Sequence, residues 1–175
     1  MKFFIVLLVA GIAAALPAPQ ENNAANSTSN GKCDAKRTAQ LVGGIQAHLN
    51  VQDMELKGIQ TLQKLSTFAA NGTSRAPPGN TTSNFGLEQQ AVVAIQQNGI
   101  TLREGNQKLA AELNSPARAG LDQLAASQTQ EMDMVKALKG TGEGEMRTLE
   151  GLAKMVMDST KLNEMNLVMA ESACK

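Results

Sequence analysis

The chain is predicted to be all-α: an antiparallel up-down-up-down four-helix bundle closed by one disulfide between its ends. Three observations point there. Four segments repeat apolar residues at alternating three- and four-residue steps, the period of one helix face. The breaks between them are short and rich in Gly, Pro, Asn and Ser, so consecutive helices must turn back on one another. The two cysteines of the 175-residue chain, Cys33 and Cys174, bracket all four segments.

Residues 1–15 read as a secretory signal peptide. Lys2 supplies the positive end, Phe3 to Ile12 the apolar stretch, and Ala13-Ala14-Ala15 a small-residue cleavage site. Its roughly fifteen apolar residues fall short of the ~20 that span a bilayer, so no transmembrane span is expected. The other end carries no hydrophobic tail of the lipid-anchor type. Residues 16–32, "LPAPQENNAANSTSNGK", have no apolar period and read as a disordered polar tail. Residues 33–175 then form a single helical bundle domain.

The first helix is expected over 34–69, with Leu41, Ile45, Leu49, Leu56, Ile59, Leu62 and Leu65 on its seam. "GIQAHL" at 44 and "GIQTL" at 58 stand fourteen residues apart, two heptads, and so share one face. The break "NGTSRAPPGNTTSN" (71–84) follows. The second helix, 85–114, places Val92, Ile95, Gly99, Leu102, Asn106, Leu109 and Leu113 in line. In "NSPAR", Ser115 is the expected N-cap and Pro116 the first helical residue of a third helix, 116–139. That helix shows Ala117, Leu121, Leu124, Gln128, Met132, Val135 and Leu138 and stops at Lys139-Gly140, with Gly140 at C′. The fourth helix, 145–174, carries Met146, Leu149, Ala153, Val156, Thr160, Asn163, Leu167 and Ala170.

Folding the chain at its short turns matches Leu109 with Leu121, Leu102 with Gln128, Gly99 with Met132, and Val135 with Leu149. An even number of alternating helices puts both chain ends at one end of the bundle. Cys33 and Cys174 can therefore meet, and an exported protein lies in an oxidising compartment where they would bridge. The alternatives are free thiols or a bridge between chains.

Composition narrows the function classes. Without Lys2, 15 basic residues face 16 acidic ones, a net charge of −1, with no basic run. No nucleic-acid partner is expected from that balance. Trp and Tyr are absent, and past the signal peptide only Phe68 and Phe85 remain, so no aromatic stacking platform can be built. His48 is the single histidine, and a lone helical His is ordinarily surface or satisfied core. There is no Glu-x-x-His pair for a dinuclear metal centre, no serine elbow and no phosphate loop. No catalytic residue, metal ligand or cofactor is expected, and the chain reads as a non-enzyme. Three sequons, at Asn26, Asn71 and Asn80, lie in the two polar stretches and mark expected glycosylation.

Two features invite a ligand. The hairpin register gathers Asn106, Gln128, Thr160 and Asn163 inside the bundle, as a register-fixing polar layer or a seat for a ligand's polar head. Seven of the nine methionines fall between 132 and 169, as core filler or as an adaptable apolar surface. Gly58, Gly99, Gly120 and Gly151 leave a sparse position in each helix but add no side chain. Gly99, Asn106, Gln128, Met132 and Asn163 are accordingly the expected ligand-lining set.

A signal peptide followed by "ALPAP", a polar tail, a Cys, "LVGGIQAHLNVQDMELKGIQTLQKL", "GLEQQAVVAIQQNGI", "LNSPARAGL" and a terminal Cys resemble small secreted proteins of filamentous fungi. More distantly, the Ala/Leu/Gln-rich helices are similar to the hydrophobic-surface-binding and cell-wall galactomannoprotein group. That resemblance implies a helical, secreted or wall-associated protein binding a fatty acid, another apolar ligand or a hydrophobic surface. An effector or cell-wall protein acting through contacts with a host or wall protein is the alternative.

Overall fold

The computed structural model describes residues 33–71, 81–140 and 143–174. Four helices dominate them: α1 Ala35–Asn71, α2 Thr81–Glu112, α3 Arg118–Ala137 and α4 Glu143–Ser172. No strand occurs among the described residues. α1 and α3 each pack against α2 and α4, while neither α1 with α3 nor α2 with α4 makes a close backbone approach. The helices thus stand at the corners of a square. Cross-helix pairs set the directions: Arg37 with Glu112 and Glu55 with Gln96 join α1 to α2 antiparallel. Arg103–Gln128 and Gln107–Asp122 do so for α2 and α3, Ser127–Ser159 fits the same sense for α3 and α4, and Thr67–Met146 with Asn163–Gln52 joins α4 to α1. The fold is the up-down-up-down bundle. Cys33 and Cys174 are bridged, Cα to Cα 5.4 Å, closing 141 residues of sequence separation at one end.

The core follows a three–four step in all four helices, broken on α2 between Phe85 and Val92. On α1 the buried positions run Leu41, Ile45, His48, Gln52, Glu55, Ile59, Leu62 and Ser66. α2 contributes Phe85, Val92, Gln96, Gly99, Arg103, Asn106 and Ala110. α3 contributes Ala117, Leu121, Leu124, Gln128, Glu131, Val135 and Leu138, and α4 Leu149, Leu152, Val156, Ser159, Asn163, Asn166 and Ala170. Such a repeat keeps one seam facing the partners along the helix length.

The seam differs from the expected one. Leu49 and Leu56 on α1 are only half-buried, with His48 and Glu55 inside instead; Ala153, Thr160 and Leu167 on α4 likewise give way to Leu152, Ser159 and Asn166. Each seam is largely apolar toward its two ends and polar in the middle, Ser66 at the far end of α1 being an exception. The core is consequently two apolar clusters. One, at the disulfide end, contains Leu41, Ile45, Ala110, Leu121, Leu124 and Ala170. The other, at the far end, contains Ile59, Leu62, Phe85, Val92, Val135, Leu138, Leu149 and Val156.

Glycines let the helices approach at chosen levels. A Cβ at Gly44 would overlap the Asn106 amide of α2, and one at Gly58 would crowd Val92. The fourteen-residue echo in the sequence is therefore two seats on α1 for side chains of α2. Gly120 of α3 likewise receives Asn166 of α4.

The turns have identifiable chemistry. α2 ends with Asn114 at φ 50, the left-handed conformation that Asn tolerates better than most residues. Ser115 N–H donates to the Ala110 carbonyl at 2.9 Å and Asn114 N–H to that of Ala111 at 3.2 Å, the paired bonds of a Schellman motif. Regular helix α3 begins at Arg118, two residues later than expected, but Ser115 still holds the preceding turn. Its Oγ accepts the Ala117 N–H at 3.3 Å and its carbonyl that of Arg118 at 3.1 Å. At the other end α3 stops at Ala137, with Leu138 extended as its C-cap, so Gly140 is not the C′ residue. Gly140 has φ 76 and packs under the Phe85 ring, turning the chain toward α4. The Glu145 carboxylate accepts the backbone N–H groups of Lys139 and Gly140, and Gln89 of α2 donates to the Val135 and Leu138 carbonyls at 2.8 and 2.9 Å.

α2 begins at Thr81 rather than 85. Pro78 is the last proline before it, so no missing N–H interrupts the helix beyond that point. Asn71 closes α1 at the end opposite the disulfide, whereas Asn26 and Asn80 lie outside the described residues, as do the signal peptide and the polar tail. No helix among the described residues is long and apolar enough to cross a membrane.

Candidate functional site

Between the two apolar clusters lies a polar belt to which every helix contributes. It comprises His48, Gln52 and Glu55 from α1, Gln96, Arg103 and Asn106 from α2, Gln128 and Glu131 from α3, and Ser159, Asn163 and Asn166 from α4, all buried. Polar groups out of water must find partners inside, and most of these do. A continuous chain of hydrogen bonds runs inward from the surface: Gln107 Nε2 donates to Asp122 at 2.9 Å, and Arg103 Nη1 to Gln107 at 2.8 Å. Arg103 Nε donates to Gln128 Oε1 at 2.7 Å, and Gln128 Nε2 lies 2.7 Å from His48 Nε2. On the far side of the ring, the Asn163 carboxamide lies 3.1 Å from His48 Nδ1 and 3.1 Å from that of Gln52.

This chain fixes the state of His48. Arg103 can only donate, so Gln128 must turn its oxygen to Arg103 and its NH2 to the ring. His48 Nε2 is therefore an acceptor, and the hydrogen of the neutral ring sits on Nδ1, 3.1 Å from Asn163 Nδ2, whose carboxamide must turn over to receive it. A second proton on Nε2 would point at the Gln128 NH2. The geometry agrees with the shift of the ring: burial, aided by the Arg103 charge, lowers its pKa from 6.5 to about 4. Both ring nitrogens are occupied in structural hydrogen bonds.

One level toward the far end, two buried carboxyls face across the bundle. Burial raises the Glu55 pKa from 4.5 to about 7, with Glu131 adding to the rise and the 2.7 Å hydrogen bond from Gln96 opposing it. Glu131 is also raised by burial, against hydrogen bonds from Ser127 and Ser159. Arg103 is lowered by burial and remains a cation, Glu104 and Asp122 holding its charge.

The expected ligand-lining residues fall in or beside this belt. Gln128 and Asn163 meet at His48, Asn106 sits against Gly44, and Met132 is buried on α3. The interior beside Gly99 is filled, which corrects the expectation of sparse space opposite Met132. A Cβ there would meet Val51 Cγ1 at 3.3 Å, Gln128 Nε2 at 3.4 Å and His48 Nε2 at 3.6 Å. Thr160 leaves the layer, donating to its own helix at Val156 O, 2.8 Å away. Sequence reading missed Gln52, Glu55, Gln96, Arg103, Glu131, Ser159 and Asn166. A strict seven-residue count from Leu41 and Ile45 reaches His48, Gln52, Glu55 and Ile59, and would have found those on α1.

The belt reaches the surface in a groove of about 310 Å³ between α3 and α4. Leu124, Met155 and Leu162 form apolar walls, Gln123 and Asp158 flank them, and Ser127 and Ser159 supply the polar lining. Both hydroxyls donate to Glu131 Oε1, at 2.7 Å from Ser127 and 3.0 Å from Ser159, and the two oxygens are 3.0 Å apart. Farther along α4, Met165, Val168 and Met169 with Lys161 and Glu164 line a second depression of about 470 Å³. Among the described residues no group of three or more His, Cys, Asp or Glu side chains is placed to hold a metal ion. In comparisons with family models, curated proteins and solved structures, the chain matches none.

Proposed function

We propose that this is a secreted, non-catalytic helical protein that binds an apolar or amphiphilic ligand, and that the α3–α4 groove is where it binds. The observation that carries this reading is the groove's make-up: aliphatic and methionine walls converge on two serine hydroxyls backed by a buried carboxyl. Mostly apolar walls with a few placed polar groups are the usual composition of a small-molecule site. The Met155 thioether offers a wall that adapts to different tails. Export fits the signal-peptide pattern and the disulfide, which persists in oxidising compartments. The non-catalytic part rests on the single histidine being held at both nitrogens and on both cysteines being bridged.

A second reading has its own observation. Met165 and Val168 are about 60% exposed on the outer face of α4, beside Met169, and suit a hydrophobic surface or a host or cell-wall protein. Native mass spectrometry of the protein recovered from culture medium separates the two. The groove reading predicts an amphiphile retained by the chain, or a one-to-one complex on adding octanol. A bare chain that takes up no octanol contradicts it and favours contacts through α4.

A further inference from the structure

The groove's polar end has a definite hydrogen-bonding sense. Ser127 and Ser159 each direct their one hydroxyl hydrogen at the same oxygen of Glu131, which is 1% exposed. A serine hydroxyl has one donor and two acceptor lone pairs. With both hydrogens committed inward, the two oxygens present lone pairs to whatever enters. No basic side chain lines the groove, and its one charged lining residue is Asp158, which engages Lys154 and Lys161 on the outer surface of α4. At the two serines a carboxylate head would meet acceptors, with a buried carboxyl behind them; the one donor in the lining is the Gln123 carboxamide at the rim. A head that donates hydrogen bonds finds two acceptors 3.0 Å apart.

We propose that the α3–α4 groove selects amphiphiles whose head group donates hydrogen bonds, a primary ammonium ahead of an alcohol, and discriminates against carboxylates. This rests on the groove being the ligand site, and it moves the ligand class away from fatty acids. Ser127 and Ser159 are the contacting residues; Glu131 orients them and, when ionised, supplies the negative charge that favours a cation.

The test is calorimetric titration of the full chain at neutral pH with octylamine, octanol and octanoate, three heads on one tail. Octylammonium should bind at least about tenfold more tightly than octanoate, the scale of one charge-assisted hydrogen bond, with octanol between them. Glu131→Gln should bring amine and alcohol affinities together while octanol binding persists. Ser127→Ala, at a half-buried position that tolerates the loss of a hydroxyl, should weaken amine and alcohol alike. Octanol binding with octanoate bound equally well would overturn the selectivity and leave the groove reading standing. An undiminished preference for the amine in Glu131→Gln would do the same. If none of the three probes binds the wild type, the groove reading itself falls, and the selectivity with it.

Discussion

Cys174→Ser is expected to lower the stability of the bundle by up to about 5 kcal/mol while leaving its helices in place. The size follows from the loop: the bridge ties residues 141 apart and so restricts nearly the whole described chain in its unfolded state. The two apolar clusters and the polar belt are built from helix side chains inward of the bridge, beginning with Ala170 one turn before Cys174 and Leu41 two turns into α1. Far-UV circular dichroism should therefore be nearly unchanged, and the denaturation midpoint should fall. A variant as stable as the wild type would show that the bridge constrains little. A variant without helix would show that the bundle cannot hold its two ends together alone.

The second large effect is a pH dependence that Glu55→Gln should remove. Between 4.5 and about 7 the unfolded chain releases the Glu55 proton while the folded chain keeps it. The folded state then binds more protons, so its stability falls as pH rises, and the loss is complete above about 7. At 1.36 kcal/mol per unit, the shift corresponds to about 3 kcal/mol between pH 4 and pH 8. Glu131, raised for the same reason, acts in the same direction. His48 acts oppositely: its folded pKa of about 4 lies below 6.5, so its contribution is present above 6.5 and is lost as pH falls through 4. The wild-type profile is thus flattened by opposing groups, and the difference between wild type and variant isolates Glu55. Gln keeps the polar partner for Gln96 and cannot ionise. Denaturation at several pH values should show Glu55→Gln gaining on the wild type from pH 4.5 to about 7 and levelling off above that. A difference independent of pH would mean that Glu55 is solvated in the folded state.

The architecture was legible because it rests on local signals. The three–four repeat survives in every helix, the "NSPAR" turn carries its own Asn and Ser chemistry, and the even helix count brings the cysteines together. The polar belt was mostly illegible for a physical reason. Following apolar residues along a helix works when the core is apolar throughout. Here the middle of the core is polar, and the apolar trail steps sideways to Leu49, Leu56, Ala153 and Leu167, which are half-buried on the flanks. Gln128, Asn106 and Asn163 were found only because α3, and alternate seam positions on α2 and α4, kept their register. His48 was set aside because an isolated histidine has no partner nearby in sequence; its partners come from α3 and α4, 80 and 115 residues away. The groove could not be read at all, since it depends on how far α3 and α4 stand apart at Ser127 and Ser159.

The belt also explains why the proposed ligand site lies at an edge rather than along the axis. Side chains from four helices fill the axis there and satisfy most of one another's polar groups, Asn166 and single atoms of Gln96, Asn106 and Asn163 excepted, and removing a further partner would strand another in a region of low dielectric. Between α3 and α4 the network opens on a groove, with lone pairs outward and aliphatic walls on either side. The most direct test of that claim is a map of backbone amide chemical shifts as octanol is added to the isotopically labelled protein. The account predicts saturable shifts centred on Leu124, Ser127, Met155, Ser159 and Leu162; shifts confined to Met165, Val168 and Met169, or none, would contradict it.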